Sequence, residues 1–293
     1  MNTRVPSENR LRFAKMEGLG NDYVYVEEFG KPMQNAPEIS RLVSDRHFGV
    51  GSDGLILIGD SAKADFRMRM FNADGSEGEM CGNGIRCVGK YIYDHGLSRK
   101  TSLTIETLAG IRNLKLVVSD GRAQSVRVDM GKAILEPEKI PMNATGKDFI
   151  DQEIVVDGKT WRGTGVSMGN PHFVIRVDNV DGLDLEAIGP SFENHALFPK
   201  RVNTEFAQIL SKEEVRMRVW ERGSGETLAC GTGACATAVA CALNGWTDRK
   251  VTVHLLGGDL LIEWAEDNTV YMTGPATHVF NGEYLLPPGV SVK

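Results

Sequence analysis

The chain has 293 residues, of which 41% are hydrophobic and 25% are charged, so a small disulfide-stapled scaffold and a disordered chain are both excluded. At about 150 residues per domain, this length predicts two domains. The 33 basic and 39 acidic residues give a net charge of −6, which excludes the basic surface that a nucleic acid or an anionic membrane requires.

The amino-terminal segment, residues 1–13, has no apolar stretch of the kind found in a secretory signal, and Glu8 makes it a poor transit peptide. The apolar runs of the whole chain are too short for a membrane-spanning helix. Five cysteines, an odd number, favour reduced thiols over a disulfide framework. We therefore expect a soluble cytoplasmic protein, or a protein of the plastid stroma if the source is a plant, with neither a nucleic acid nor a membrane as partner.

In the first half, residues 66–70 alternate between apolar and basic side chains, which predicts a half-buried strand. The segment Cys81-Gly82-Asn83-Gly84 follows a loop. Apolar side chains at helical spacing then run over residues 85–92, up to a stop at Gly96, and predict a helix that begins at or just after the cysteine. Runs rich in Val, Ile and Thr predict strands at 102–107 and 126–130.

The second half shows the same order of elements. Residues 215–219 alternate as a strand, and Cys230-Gly231-Thr232-Gly233 leads into residues 234–243, which are apolar or small on nearly every side. A helix of that composition is expected to be buried at the centre of its domain. Strands are predicted at 251–256 and 260–264.

The two halves match each other at a constant offset of 149 residues. The matching pairs are Gly20-Asn21 with Gly169-Asn170, Arg67-Met68-Arg69 with Arg216-Met217-Arg218, and the two cysteine segments at 81–84 and 230–233. A constant offset predicts a duplicated domain with a pseudo-twofold axis. The fold class that follows is α+β, with two pseudo-symmetric, strand-rich domains, one central helix in each, and an active site in the cleft between them.

The cysteine segments indicate a particular chemistry. A helix N-terminus presents unpaired N–H groups and a partial positive charge, and glycines let a carboxylate approach the backbone. The same field is expected to lower the pKa of the Cys81 and Cys230 thiols. Two opposed acid/base groups around one carbon can remove a proton from one face and return it to the other. The sequence therefore predicts a racemase or epimerase.

The sequence gives less support for other roles of its cysteines, histidines and glycines. Cys87, Cys235 and Cys241 lie inside the predicted helices and are expected to be structural. No C-x-x-C pair occurs and the six histidines lack ligand spacing, so no metal is expected. The glycine-rich segments do not form a dinucleotide-binding unit. A thiol redox protein, with a reversible disulfide between Cys81 and Cys230, remains an alternative of a different class.

The chain resembles the diaminopimelate epimerase family in seven motifs that run in the family's order over nearly the whole sequence. They are GLGND at 18–22, DRHFGVG at 45–51, FNADGS at 71–76, MCGNGIRC at 80–87, MGNPH at 168–172, ERGSGET at 221–227 and ACGTG at 229–233. The resemblance implies an isomerase without a cofactor that interconverts LL- and meso-2,6-diaminopimelate, in lysine and peptidoglycan-precursor biosynthesis.

The resemblance also implies two domains, each a strongly curled, mainly antiparallel sheet wrapped around its central helix, and a homodimer. In the family the last strand returns to the first domain. The expected domains are therefore residues 1–130 with 279–293, carrying Cys81, and residues 131–278, carrying Cys230.

Residue by residue, the resemblance makes Cys81 and Cys230 the acid/base pair, with Glu221 and His172 near the reacting amine and thiols. The substrate-binding residues that it implies are Asn21, Asn72, Gly82, Asn83, Asn170, Asn203, Glu221, Arg222, Gly231 and Thr232. The four backbone positions among them, at 82–83 and 231–232, are expected to offer N–H groups to the carboxylate at the reacting carbon. No metal ligand is implied.

Two points qualify the resemblance. Some family members have Gln where this chain has Gly54, so no side chain contributes from that position. A proline or hydroxyproline racemase of the same superfamily is the nearest alternative. The asparagines and Arg222 argue against it, because they suit a long substrate with a second amino-acid head, which proline lacks.

Overall fold

The computed structural model describes residues 9–292, and the chain divides into two compact units. The first runs to Val128 and resumes at Pro275, and the second is Asp129–Gly274. The domain boundaries expected from the sequence, after residues 130 and 278, stay a prediction. In the described part of the chain, no helix is both long and apolar enough to cross a membrane.

The helices and strands of the first 132 residues are β1 (Arg10–Gly18), β2 (Asn21–Glu28), α1 (Ala36–Ser44), β3 (Gly54–Gly59), β4 (Phe66–Asn72), β5 (Glu77–Gly78), α2 (Gly82–Asp94), β6 (Ser102–Thr107), β7 (Gly110–Ser119) and β8 (Arg122–Lys132). The elements that follow are β9 (Gln152–Val156), β10 (Lys159–Ser167), β11 (Pro171–Arg176), α3 (Leu185–Glu193), β12 (Asn203–Ile209), β13 (Glu214–Glu221), β14 (Gly225–Glu226), α4 (Gly231–Leu243), β15 (Lys250–Leu255), β16 (Gly258–Trp264), β17 (Thr269–Pro275) and β18 (Thr277–Leu285). Each strand and helix predicted from the sequence is present.

Each unit has a mixed sheet with the same strand order. In the first unit the order is β18-β1-β2-β3-β4-β6-β7-β8, with β2–β3 and β4–β6 parallel and the other pairs antiparallel. In the second it is β9-β10-β11-β12-β13-β15-β16-β17, with β11–β12 and β13–β15 parallel. The equal topology confirms the α+β class and the internal duplication.

A central helix fills the concave side of each sheet. The helix α4 is apolar or small on every side and packs against β10 to β13, β15 and β16, so strands from most of the sheet surround it. The helix α2 packs against β1, β2, β7 and β18. A helix without a polar face is stable only when it is covered all round, and the curled sheet provides that cover.

A short helix covers the outer face of each sheet. In the first unit Ile39 and Val43 of α1 pack against Leu55 and Leu57 of β3. In the second unit Leu185 and Phe192 of α3 pack in a cluster with Phe206 of β12. Because both faces are covered, the sheet strands at the middle are buried, and the cysteine segments are held between a buried strand and a buried helix.

Candidate functional site

Both predicted catalytic cysteines are N-cap residues. Cys81 precedes α2 and Cys230 precedes α4, each with extended backbone dihedral angles. Each follows a short hairpin, β4–β5 or β13–β14, that turns the chain from the sheet to the helix end. The sequence prediction that the thiols lie at helix N-termini is confirmed.

Neutral hydrogen-bonding groups surround the Cys81 thiol. The N–H of Gly84 donates to Sγ over 3.3 Å, and Sγ donates to Oδ1 of Asn21 over 3.2 Å. Tyr23 also lies close enough to the sulfur for each group to shift the pKa of the other. Of the residues expected to bind substrate, the structure thus brings Asn21 directly to this thiol.

A charged network holds Asn21 in place. Its Nδ2 donates to Oδ2 of Asp53 over 2.7 Å, and the other oxygen of Asp53 accepts from Arg46. Arg46 and the buried Lys15 both pair with Asp22, which lies in β2. The motif at 45–51 therefore acts at a distance from the thiol, by fixing the asparagine that contacts it.

The other expected residues of the first unit lie at strand and helix ends. Asn72 closes β4, and its Nδ2 donates to Oγ of Ser76 over 2.9 Å. Gly82 and Asn83 form the first turn of α2, and the side-chain oxygen of Asn83 accepts from Arg86 over 3.0 Å. The side chain of Asn83 thus serves the helix, and its role in substrate binding stays a prediction.

Lack of space for a side chain explains why position 54 is a glycine. A Cβ atom there would lie 2.0 Å from the carbonyl oxygen of Phe71 and 2.8 Å from Cε1 of Tyr23. The ring of Tyr23 thus lies where a side chain at position 54 would begin. Tyr23 was not singled out in the sequence, although its place two residues after Asn21 in a strand puts it on the same face.

Acidic groups surround the Cys230 thiol. The carboxylate of Glu221 lies close enough to raise the pKa of this thiol, and it accepts from the hydroxyl of Thr227. The hydroxyl of Thr232 lies 3.6 Å from Sγ. Gly231 and Thr232 form the first turn of α4, so their N–H groups are among those without a partner in the helix.

His172 is fully buried beside this thiol. Its Nδ1 lies 2.6 Å from Oε1 of Glu205, and its Nε2 lies 3.0 Å from Oδ1 of Asn170. The amide nitrogen of Asn170 donates to Oγ1 of Thr232 over 3.3 Å, which connects the histidine to the start of α4. The expected residues at 170, 172, 221 and 232 are therefore brought together around Cys230.

Glu205 was missed by sequence reasoning. It is fully buried in β12, between Thr204 and Phe206, which are also fully buried. An acidic residue directly before the apolar residues Phe206 and Ala207 was the available signal, because such a group is rarely buried without a specific partner.

Asn203 begins β12 and contacts the backbone of Arg222. Nδ2 of Asn203 donates to the carbonyl of Pro171 over 3.0 Å, and its Oδ1 accepts from the backbone N–H of Arg222 over 2.8 Å. The guanidinium of Arg222 donates to the carbonyl of Lys200 over 3.0 Å, at an exposed position. Asn203 thus positions the backbone that carries the arginine.

The expected lowering of the thiol pKa is wrong. Burial raises the pKa of Cys81 above its ordinary value, against the N–H groups of Gly84 and Asn83, which lower it. Burial and the carboxylates of Glu221 and Glu205 raise the pKa of Cys230 well above its ordinary value. The loss of hydration outweighs the field of the helix end, because an ionised thiol loses far more solvation than one helix terminus returns.

Glu221 shows the same effect of burial. Its pKa is raised, although hydrogen bonds from Thr227 and Cys230 oppose the shift. Within residues 9–292 there is no group of three or more His, Cys, Asp or Glu side chains that could hold a metal ion. The chemistry available at these positions is proton transfer by thiols, a carboxyl group and an imidazole.

The chain matches the family model described as diaminopimelate epimerase over residues 13–136 and 164–279. It is 60% identical to a diaminopimelate epimerase of Acetivibrio thermocellus over 94% of this chain and 99% of that protein. It is 56% identical to the enzyme of that name from Methanococcus maripaludis over 93% of this chain and 99% of that protein.

Two solved structures share the fold at low identity. A probable proline racemase from Agrobacterium radiobacter has a TM-score of 0.70 at 14% identity and covers 95% of this chain and 94% of its own. A hydroxyproline epimerase from Agrobacterium vitis has a TM-score of 0.67 at 13% identity and covers 94% and 91%. The family match spans both duplicated halves and the relatives align over nearly their full length, so the chain belongs to the diaminopimelate epimerase family.

Proposed function

We propose that this chain interconverts LL- and meso-2,6-diaminopimelate, with Cys81 and Cys230 as the two acid/base groups. The observation that carries the proposal is that each thiol is the N-cap of a central helix, in a chain 60% identical to a named diaminopimelate epimerase. The activity is that of a cofactor-independent isomerase.

The proposed reaction exchanges one proton for another. One cysteine, as thiolate, takes the proton of the α-carbon, so the C–H bond breaks and an S–H bond forms. The electron pair left on carbon is delocalised into the adjacent carboxylate, and the thiol of the other cysteine then delivers its proton to the opposite face. The cysteines exchange roles when the direction of reaction is reversed.

The helix ends provide the electrostatic part of the proposal. Backbone N–H groups at Gly82 and Asn83, and at Gly231 and Thr232, belong to the first turns of α2 and α4, where a helix end can bind a carboxylate. They would stabilise the negative charge that develops as the proton leaves. Glu221 and His172 would act near the amine and the Cys230 thiol.

The remaining asparagines and Arg222 would bind the second amino-acid head. An asparagine amide donates and accepts, and a guanidinium binds a carboxylate in two places. In this proposal Asn21, Asn72, Asn170 and Asn203 select a substrate longer than proline. We also propose a homodimer, which the family resemblance implies, and a reducing compartment, the cytoplasm, because the mechanism needs both cysteines as free thiols.

The test is α-proton exchange in D₂O. The purified protein, in excess reductant, is incubated with LL-diaminopimelate and separately with proline, and loss of the α-proton signal is followed by NMR. We expect exchange and conversion to the meso isomer with diaminopimelate only. Exchange with proline alone would favour the proline-racemase alternative, and activity that excess reductant abolishes would favour a thiol redox protein.

A further inference from the structure

The ring of His172 lies between two oxygen atoms. Oε1 of Glu205 is 2.6 Å from Nδ1, and Oδ1 of Asn170 is 3.0 Å from Nε2. The side chains of His172 and Glu205 are both 0% exposed, so water does not compete for these hydrogen bonds. This arrangement is independent of the first unit, since all of its residues lie in β11, β12 and the segments next to them.

The geometry determines where the protons are. Asn170 donates through Nδ2 to Thr232, which leaves its Oδ1 as an acceptor toward the ring. Nε2 of His172 must therefore carry a hydrogen. Nδ1 then needs a proton shared with Glu205, either as N–H facing a carboxylate or as a bare nitrogen facing a carboxyl O–H. In both forms the contact with Glu205 leaves Nε2 of His172 protonated.

The fold itself does not require an acidic residue at position 205. At the repeat offset of 149, its counterpart in the first unit is Ile56, which is also fully buried in the matching strand β3. Oε2 of Glu205 is buried without a hydrogen-bond partner among the described residues, which is an unfavourable state for a carboxyl group.

Room for the carboxyl group is provided by a glycine. A Cβ atom on Gly233, in the first turn of α4, would lie 2.6 Å from Oε1 of Glu205 and 3.2 Å from Sγ of Cys230. The carboxyl group therefore lies directly behind the catalytic turn of the second unit. Glu205 is thus a buried carboxyl group behind the Cys230 thiol, at a position where the first unit has an apolar residue. This indicates that Glu205 has a role in the chemistry at Cys230.

We propose that Glu205 is a positioning residue for the Cys230 half-site: through the shared proton it keeps Nε2 of His172 protonated and thereby orients Asn170 and Thr232 beside the thiol. The inference rests on the proposed function, since only there does Cys230 transfer a proton. It assigns to this chain a residue outside the set that the sequence motifs imply.

Two variants separate positioning from packing. Glu205→Met keeps a linear side chain of similar shape but offers Nδ1 no partner, so the ring is free to change tautomer and Asn170 to turn over. We expect kcat for diaminopimelate epimerisation to fall by about 10- to 100-fold, with KM changed much less. Glu205→Gln can donate an amide hydrogen to Nδ1 and keep Nε2–H, so we expect it to retain most of kcat.

The matched control is Thr204→Val, which lies next to Glu205 on the same strand, is equally buried and is nearly unchanged in shape. Its kcat should equal that of the wild type. If Glu205→Met also keeps wild-type kcat, the positioning role is wrong. If Glu205→Gln loses as much kcat as Glu205→Met, the role does not lie in the tautomer.

A direct readout does not depend on any variant folding. In protein labelled with ¹⁵N at histidine, Nε2 of His172 should show the chemical shift of a protonated nitrogen from about pH 6 to pH 9, in the range where a free imidazole changes form. An unprotonated Nε2 in the wild type would overturn the inference even if the enzyme is active. A wild-type protein without epimerase activity would instead overturn the proposed function.

Discussion

At Cys81 and Cys230, the two proposed acid/base groups, burial and the helix end act on the thiol in opposite directions, and burial is the larger effect. The surroundings differ between the halves. Around Cys81 the neighbours are the neutral donors and acceptors of Gly84, Asn21 and Tyr23, whereas Cys230 lies beside carboxyl groups. Carboxylates disfavour a second negative charge, so Cys230 is held more firmly as the neutral thiol.

Replacing either of these two thiols tests the two-base proposal at the scale of single residues. Cys81→Ala and Cys230→Ala each remove one proton carrier, so we expect the epimerisation rate to fall by roughly 10²- to 10⁴-fold. The measurement is the rate of conversion of LL-diaminopimelate to the meso isomer, with circular dichroism as the check on folding.

The control for these variants is Cys241→Ala, since Cys241 is fully buried inside α4 and away from the helix start. Its epimerisation rate should stay close to that of the wild type. Near-normal turnover in either Cys81→Ala or Cys230→Ala would show that the mechanism does not use two thiols.

Among the elements, α3 shows how closely a helix is fitted to the sheet that positions the site. A Cβ atom on Gly189 would lie 2.2 Å from Cδ2 of Trp220. The indole cannot move away easily, because its Nε1 donates to Oε2 of Glu193 over 2.8 Å. Trp220 directly precedes Glu221 in β13, so this contact helps to fix the strand end beside Cys230.

We therefore expect Gly189→Ala to destabilise the protein. Alanine favours a helix over glycine by about 1 kcal/mol, but forcing a carbon against a fixed ring costs about 1–3 kcal/mol or more, so the net free energy of unfolding should fall. Urea unfolding measures the change, with Ser191→Ala in the same helix as control. A Gly189→Ala variant more stable than the wild type would show that Trp220 moves freely.

At the scale of the whole molecule, the duplication kept the topology and changed the side chains. Helices α2 and α4 each have thirteen residues and begin 149 positions apart, at Gly82 and Gly231. At the same offset Tyr23 corresponds to His172, Ile56 to Glu205 and Asn72 to Glu221. The two units therefore share a scaffold, while the carboxyl groups that raise the pKa of a catalytic-site thiol belong to the second.

The buried cysteines inside the central helices make global stability depend on pH. Burial raises the pKa of Cys87 and of Cys241 from 9.0 to about 12. Between these values the thiols of the unfolded chain lose their protons and those of the folded chain keep them. Unfolding is then favoured as pH rises, by about 1.4 kcal/mol per pH unit for each thiol, whereas below pH 9 the stabilisation is fully present.

The prediction is checked by urea unfolding at several values between about pH 9 and pH 11. The free energy of unfolding should fall with pH in the wild type, and the fall should be less steep in Cys241→Ala. An identical slope in both proteins would mean that the thiol of Cys241 ionises in the folded state as readily as in the unfolded chain.

Much of the scaffold could be predicted from local pattern. The strand at 102–107 was predicted with the bounds that the structure has, and the all-apolar segment at 234–243 is the buried helix α4. The N-cap position of both cysteines followed from the glycines and the helical spacing after them. Hydrophobic periodicity and helix-stop signals are properties of neighbouring residues, and the repeat offset compares two segments of the same chain. All three can therefore be read from the sequence.

Residues that act through distant partners could not be found in this way. Glu205 and Tyr23 have no local signature, because their roles depend on His172 and Cys81, which lie 33 and 58 positions away. The expected direction of the thiol pKa shift was wrong for a related reason. The effect of the helix end on the pKa follows from neighbouring residues and could be predicted. The burial that outweighs it comes from the packing of the whole unit.

The sequence by itself determined the duplicated α+β architecture, the helix-end cysteines and the family, because periodicity, offset and motifs are written in the order of residues. Only the tertiary structure decided which groups surround each thiol: neutral partners at Cys81, and Glu221 with the His172–Glu205 pair at Cys230. The physical reason is that hydration and hydrogen-bond pairing depend on distance in space, and the strands that bring these side chains together are far apart along the chain.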